Sequence, residues 1–189
     1  MPNWYYGTTI IRGDIHIFKK WAINKLLKNE ELKDFAQTFA PLSTGEWNFG
    51  SACKEWGVKW DFPITISSGL DEEDEEFEFS FMSAWNSPCF LWKQLETKYN
   101  VEVEEFGFEE GDSSFYKYKN GRENYKKIDN KWFEDKFNFK PSKEALENED
   151  TYDDELCDHK NDNWSDAFYM WHTILDNEDK NWKEVKLES

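Results

Sequence analysis

Histidine and cysteine are scarce in this 189-residue chain, three of each, and cations are outnumbered, with 23 Lys and Arg against 40 Asp and Glu. Cys53, Cys89 and Cys157 are odd in number and far apart, which argues against a disulfide framework and fits reduced thiols. His16, His159 and His172 lie in no recognisable nucleophile or metal motif, and neither a Gly-rich phosphate loop nor a nucleophile elbow is present. Catalysis therefore has little to rest on. Cys157-x-His159, with Asp153, Asp154 and Asp158 around it, offers mixed metal ligands. A second Cys or His at zinc spacing is missing, as is the oxygen-ligand pattern of a calcium loop, so neither metal nor cofactor is expected. No run approaches the roughly 20 apolar residues of a membrane helix, and no basic-then-apolar leader opens the chain. A cytoplasmic location is the expectation.

What the chain does have is aromatic bulk: 16 Phe, 11 Trp and 8 Tyr, 19% of all residues. Each buries far more surface than an alanine, enough for a real core despite 33% charged residues. The net charge of −17 is concentrated in two blocks. Cations to anions stand at 4 to 14 in residues 71–119 and at 5 to 15 in residues 141–189. Such a surface repels nucleic acid and anionic membrane, and it attracts basic protein surfaces in a salt-dependent way.

The periodicity alternates between strand and helix. Residues 4–12 are aromatic and β-branched and stop at Gly13-Asp14, which predicts a strand. Ile15, Phe18, Ala22, Leu26 and then Leu32, Phe35, Phe39 follow helical spacing, with Asp14 available as cap and a break near Asn29. A short helix over 52–56 is closed by Gly57, and 59–67 alternates as a strand through Trp60, Phe62, Ile64 and Ile66. The turn 69–76 is acidic, and Phe77, Phe79 and Phe81 alternate as the returning strand of a hairpin. Ser87-Pro88 signals a helix running to Tyr99 and burying Phe90, Leu91 and Leu95. Val101 opens a further strand, Gly111-Asp112 turns it into 113–119, and Asn120-Gly121 closes that. Ile128 to Trp132 reads as a hairpin turn or as mid-helix, and hairpin or loop is the expectation. In 163–175, Trp164, Ala167, Phe168, Trp171, Ile174 and Leu175 share one helical stripe, capped by Asp162 or Asn163.

The order β-α-β-β-α-β predicts an α+β fold of ferredoxin-like type over 1–121, an antiparallel sheet with helices on one face and an added strand. Residues 122–189 are then an acidic extension with one amphipathic helix.

Three motifs carry a family likeness: Met1-Pro2-Asn3-Trp4, Trp56-Gly57-Val58-Lys59-Trp60-Asp61, and Phe81-Met82-Ser83-Ala84-Trp85-Asn86-Ser87-Pro88. Over about residues 1–121 the chain resembles the Api92-like or YubB-like ferredoxin-like domain of phages and plasmids. It departs at Val58, where that family tends to Thr, and at Asn86-Ser87-Pro88, where it tends to Ser-Pro-Pro. The resemblance implies a mobile-element accessory protein and brings no reaction with it.

Two surfaces are candidates. Asp71, Glu72, Glu73, Asp74, Glu75 and Glu76, together with Glu149, Asp150, Asp153, Asp154, Glu155 and Asp158, would meet a basic cleft. Carboxylates there could approach the pitch of backbone phosphates and act as a nucleic-acid mimic. Added to the resemblance, this predicts a non-catalytic binder that inhibits a host defence or nucleic-acid-processing protein, with no direct contact to nucleic acid or membrane. The alternative site is a tryptophan-lined pocket for a small ligand, built from Trp56, Lys59, Trp60, Asp61 and Trp85. In the competing structural reading the three tryptophans are core and Lys59 pairs with Asp61 or another nearby carboxylate. A third class is an intracellular structural or assembly module that associates with itself. The strand carboxylates Glu102, Glu104 and Glu109 are read as facing solvent.

Overall fold

A computed structural model describes residues 3–109, 114–127, 129–148, 150–152, 154–156, 158, 170 and 182–187. The architecture is mixed α+β, an open antiparallel sheet of seven strands with several helices. Strand β1 spans Trp4–Gly13, and helices α1 (His16–Leu27), α2 (Phe35–Phe39) and α3 (Phe49–Glu55) follow it. Strands β2 (Ile64–Ser68) and β3 (Glu76–Ala84) form the hairpin, α4 is Cys89–Tyr99, and β4 is Val101–Glu109. Then come β5 (Ser114–Lys119), β6 (Arg122–Lys127), α5 (Asn130–Phe137) and the short β7 (Lys183–Glu184). Across the sheet the order is β2-β3-β1-β4-β5-β6-β7.

Strand alternation decides which residues make the core. Tyr5 and Ile11 of β1, Phe77, Phe79 and Phe81 of β3, and Val101 and Val103 of β4 share the face covered by the helices. Phe18 and Ala22 of α1 and Leu91, Trp92 and Leu95 of α4 close over them. Phe35 sits at the centre, its ring centroid within 6.4 Å of those of Phe18, Phe39, Phe62, Phe79 and Trp92. Such pairs add about 0.5–1.5 kcal/mol each beyond their buried area. The opposite face is split. Phe106, Phe108, Phe115 and Lys117 are buried on it, whereas Tyr6 and Met82 are exposed.

Local chemistry moved several boundaries. Asp14 does not cap α1: it pairs with His16 Nδ1 at 2.6 Å, and Ile15 stands at the cap. The break near Asn29 is present, with Asn29 at φ 54° ending the first helix. The strand predicted over 59–67 is confined to 64–68, because Asp61 and Phe62 serve the helices rather than a ladder. Ser87 does not cap α4 either; its hydroxyl is committed to Glu105, and Pro88 flanks the first turn. In α4 the buried ring is Trp92, with Phe90 half-buried. Leu26, placed on the core stripe by its spacing, is exposed.

Where a hairpin or loop was expected after residue 122, the chain forms β6 and then α5, whose first turn is capped by Asp129 Oδ1 accepting from Trp132 N at 2.8 Å. The boundary expected after residue 121 falls in the Asn120-Gly121 turn of the β5–β6 hairpin, with φ 50° and 71°, so β6 and β7 share the sheet of β1–β5. The helix predicted over 163–175 lies outside the described residues.

Candidate functional site

The acidic hairpin loop is built on a lysine clamp. Lys19 Nζ, from α1, donates to the carbonyls of Asp71 at 2.6 Å and Asp74 at 2.7 Å, while Asp71 N donates to Asp74 Oδ2 at 2.9 Å. Gly69 enters the loop at φ 105°, and a Cβ there would strike the Glu76 backbone. Glu76 is held by Arg12 at 2.6 Å, and Arg12 also reaches Glu104 at 3.0 Å. The loop's shape is therefore fixed by backbone acceptors. Asp71, Glu72, Glu73 and Glu75 project to solvent, and among the described residues no cation pairs with them.

The second acidic group is described in part, since Glu149 and Asp153 lie outside the described residues. Asp150, Asp154 and Asp158 are exposed. Glu155 is committed inside the chain. Its carboxylate accepts from Ser142 N at 2.9 Å, and the Ser142 hydroxyl and amide hold it below the usual carboxylate range. Tyr152 ties this stretch to α5 by donating to Glu134 Oε1 at 2.6 Å. The hairpin loop leaves the sheet at its β2 edge, whereas the chain toward 150–158 departs from β6, near the other edge.

The five residues expected to line a pocket serve two purposes. Trp56 is core, with its indole N–H on Ala40 O at 2.7 Å. Asp61 accepts from the amides of Ala36 at 2.9 Å, Gln37 at 2.7 Å and Phe62 at 2.8 Å, which fixes the start of α2. Burial raises its carboxyl above the ordinary range against the pull of those three amides. Lys59, Trp60 and Trp85 instead make a surface cluster with Phe49. The Lys59 ammonium lies 3.8 Å from the Trp85 ring centroid, 5.5 Å from Trp60 and 5.7 Å from Phe49. Lys59 makes no ion pair with Asp61, so its charge is met by ring faces. The cage is filled by the chain's own lysine, and Trp85 holds its place at φ 80°, unusual for a bulky residue.

Sequence reasoning missed a buried polar cluster. Glu105 is fully buried on the helix-covered face and accepts from the Tyr5 hydroxyl and, at 2.8 Å, from Ser87 Oγ. The Tyr5 ring reaches it across Gly107, where a Cβ would collide with the phenol. Desolvation raises Glu105 to about 8, the two hydroxyls opposing and the Glu123 charge adding to it. Burial likewise pushes the Cys89 thiol up, so it is no thiolate nucleophile near neutrality. Glu104, next to Glu105 in the chain but on the other face, takes Lys117 at 3.1 Å and Arg12 at 3.0 Å. Burial opposes ionisation there, but the hydrogen bonds of Lys117 and Arg12 win and bring it down to about 2. Of the three strand carboxylates read as facing solvent, only Glu102 does so; Glu104 is ion-paired and Glu109 is buried. The hydroxyl spacing around Glu105 was visible only once the strand register was known.

Two surface grooves stand out among the described residues. One, of about 600 Å³, runs along the free edge of β2 between Leu26, Leu32, Ile66, Leu70, Asp71 and Asp74. The other, of about 360 Å³, lies on the uncovered sheet face by Tyr6, Thr8, Thr65 and Met82. Neither is lined by Glu105 or by the Lys59 cluster. Among the described residues no group of three or more His, Cys, Asp or Glu is placed to hold a metal ion, and no helix is long and apolar enough to cross a membrane. Cys157 and His159 lie outside the described residues.

No family model, curated protein or solved structure matches the chain.

Proposed function

We propose that this is a non-catalytic binding protein of the Api92-like or YubB-like kind, a phage or plasmid accessory protein that docks its acidic hairpin loop on the basic surface of a host nucleic-acid-processing or defence protein and inhibits it. The fold part of the reading is ferredoxin-like, supported by the antiparallel order β2-β3-β1-β4 with a helix after β1 and another after β3. The functional part rests on one observation. Asp71, Glu72, Glu73 and Glu75 are exposed together on a loop whose conformation is set by Lys19, so their charges are presented with little ordering left to do on binding. Against a groove of Lys and Arg such a loop takes the place of phosphates, and its grip weakens as salt rises. The Lys59 cluster supports a small-ligand reading less well, because the ammonium already occupies the ring faces.

The test is affinity capture from host lysate with the wild-type chain and with a variant neutralised at Asp71→Asn, Glu72→Gln, Glu73→Gln and Glu75→Gln. The expected result is a protein retained by wild type at low salt, displaced by duplex DNA or RNA, and not retained by the variant. Retention that ignores both salt and the four substitutions would sink the reading.

A further inference from the structure

The groove beside β2 has the features of a strand-docking site. Among the described residues β2 pairs in the sheet with β3 alone, and its other side borders the groove. Ile64 N already donates outward to Leu32 O at 2.8 Å, so antiparallel alternation turns the N–H and C=O of Ile66 outward as well. Sheet edges usually carry a guarding charge, yet Thr65-Ile66-Ser67 carries none. The wall facing them is aliphatic. The apolar stripe of α1 reaches this groove at Leu26, which is 46% exposed. At one end of the groove stand Asp71 and Asp74, with Glu72, Glu73 and Glu75 beyond them.

From this juxtaposition we infer that β2 accepts an extended segment of a partner protein as an added strand, one with alternating aliphatic residues and a Lys/Arg cluster at the end that meets the 71–75 loop. The inference rests on the reading that this loop faces a basic partner, and it names how that partner is held. The bulge between Ile66 and Ser68 keeps the ladder to a few residues. Backbone pairing thus sets the register, and the carboxylates supply much of the attraction. A second copy of this chain fits less well, since each copy carries −17.

The probe is a pair of fluorescein-labelled peptides, Val-Thr-Ile-Thr-Val with Lys-Arg-Lys at one end or at the other, followed by anisotropy and by hydrogen exchange at the Ile66 amide. One of the two is expected to bind and to protect that amide. N-methylating its alternate amides, replacing its cations by Glu, or introducing Leu26→Lys into the protein should each weaken binding by about tenfold. If the N-methylated peptide binds equally well, strand addition is overturned; salt-sensitive binding that the neutralised loop abolishes would then leave the acidic-surface reading standing. Binding unaffected by the neutralised loop overturns that reading itself. Failure of both peptides to bind, or a concentration-dependent dimer in sedimentation that Ile66→Pro dissolves while the circular dichroism stays native, overturns the inference.

Discussion

Glu104 and Glu105 are neighbours in the chain and opposites in chemistry, because consecutive strand residues face opposite sides of a sheet. Glu104 looks toward Arg12, Lys117 and Lys119 and is held near 2; Glu105 looks into the aromatic side and is raised to about 8. The two shifts tilt stability in opposite directions. For Glu105 the folded state holds the proton more tightly than the unfolded chain, so its contribution is complete below the ordinary value of 4.5 and is lost as pH climbs through about 8. Glu104 contributes above 4.5, and that contribution is lost as pH falls toward 2. Urea melts between pH 5 and pH 8 should therefore show stability falling with a slope of up to about 1.4 kcal/mol per pH unit from this one proton. Glu105→Gln should flatten that slope while keeping the fold, whereas a variant with the wild-type slope would show that Glu105 is ionised in the folded state. The sequence reading placed Glu104 among carboxylates facing solvent and gave neither its cations nor the partners of Glu105. The difference lies in register, since Tyr5 reaches Glu105 only because Gly107 leaves room for its ring.

Among the elements, periodicity read best where one face of the chain was buried. The strand at 4–12, the Phe77-Phe79-Phe81 alternation and the helix ending near Tyr99 lie within a residue or two of where the spacing placed them. It failed where side chains left the pattern to serve the backbone of another element. Asp61 is the clearest case. As part of a tryptophan motif it suggested a ligand, but its oxygens receive the Ala36, Gln37 and Phe62 amides and tie α2, only five residues long, to the segment that leads into β2. So short a helix has little stability of its own and relies on such a partner. Asp61→Ala is expected to cost about 1–3 kcal/mol in urea unfolding, the penalty of leaving buried amides without an acceptor. Asp61→Asn should recover part of it, since the amide oxygen still accepts. If the alanine variant melts like wild type, Asp61 is free for another role and the pocket reading regains its polar member. Of the candidate binding surface, the acidic loop was legible as a charge run, whereas the open edge beside it was not, because which strand ends a sheet is a property of pairing order.

On the scale of the molecule, the charge of −17 acts as a field rather than as a set of pairs. Among the described residues, engaged cations lie on the sheet, with Arg12 between Glu76 and Glu104 and Lys117 and Lys119 on Glu104, and beside the helices, where Lys25, Lys33 and Lys93 meet Glu30, Glu31 and Glu96. The hairpin loop keeps four carboxylates without such partners among the described residues. Two effects of salt then compete. Screening weakens the exposed pairs, each worth about 0–1 kcal/mol, and it also relieves repulsion among the excess anions. With 40 acids against 23 bases, repulsion outnumbers attraction, so the second effect should win. Shortening the screening length from about 30 Å to about 8 Å, by going from 10 mM to 150 mM salt, should raise the melting temperature, each kcal/mol gained adding about 2–4 °C in a chain of this size. The variant neutralised at Asp71, Glu72, Glu73 and Glu75 should start higher at low salt and gain less on addition. A melting temperature that falls with salt would mean that the Arg12 and Lys119 pairs outweigh the repulsion. The excess anions would then add little long-range field, and the pull on a basic partner would rest on the loop's four carboxylates alone.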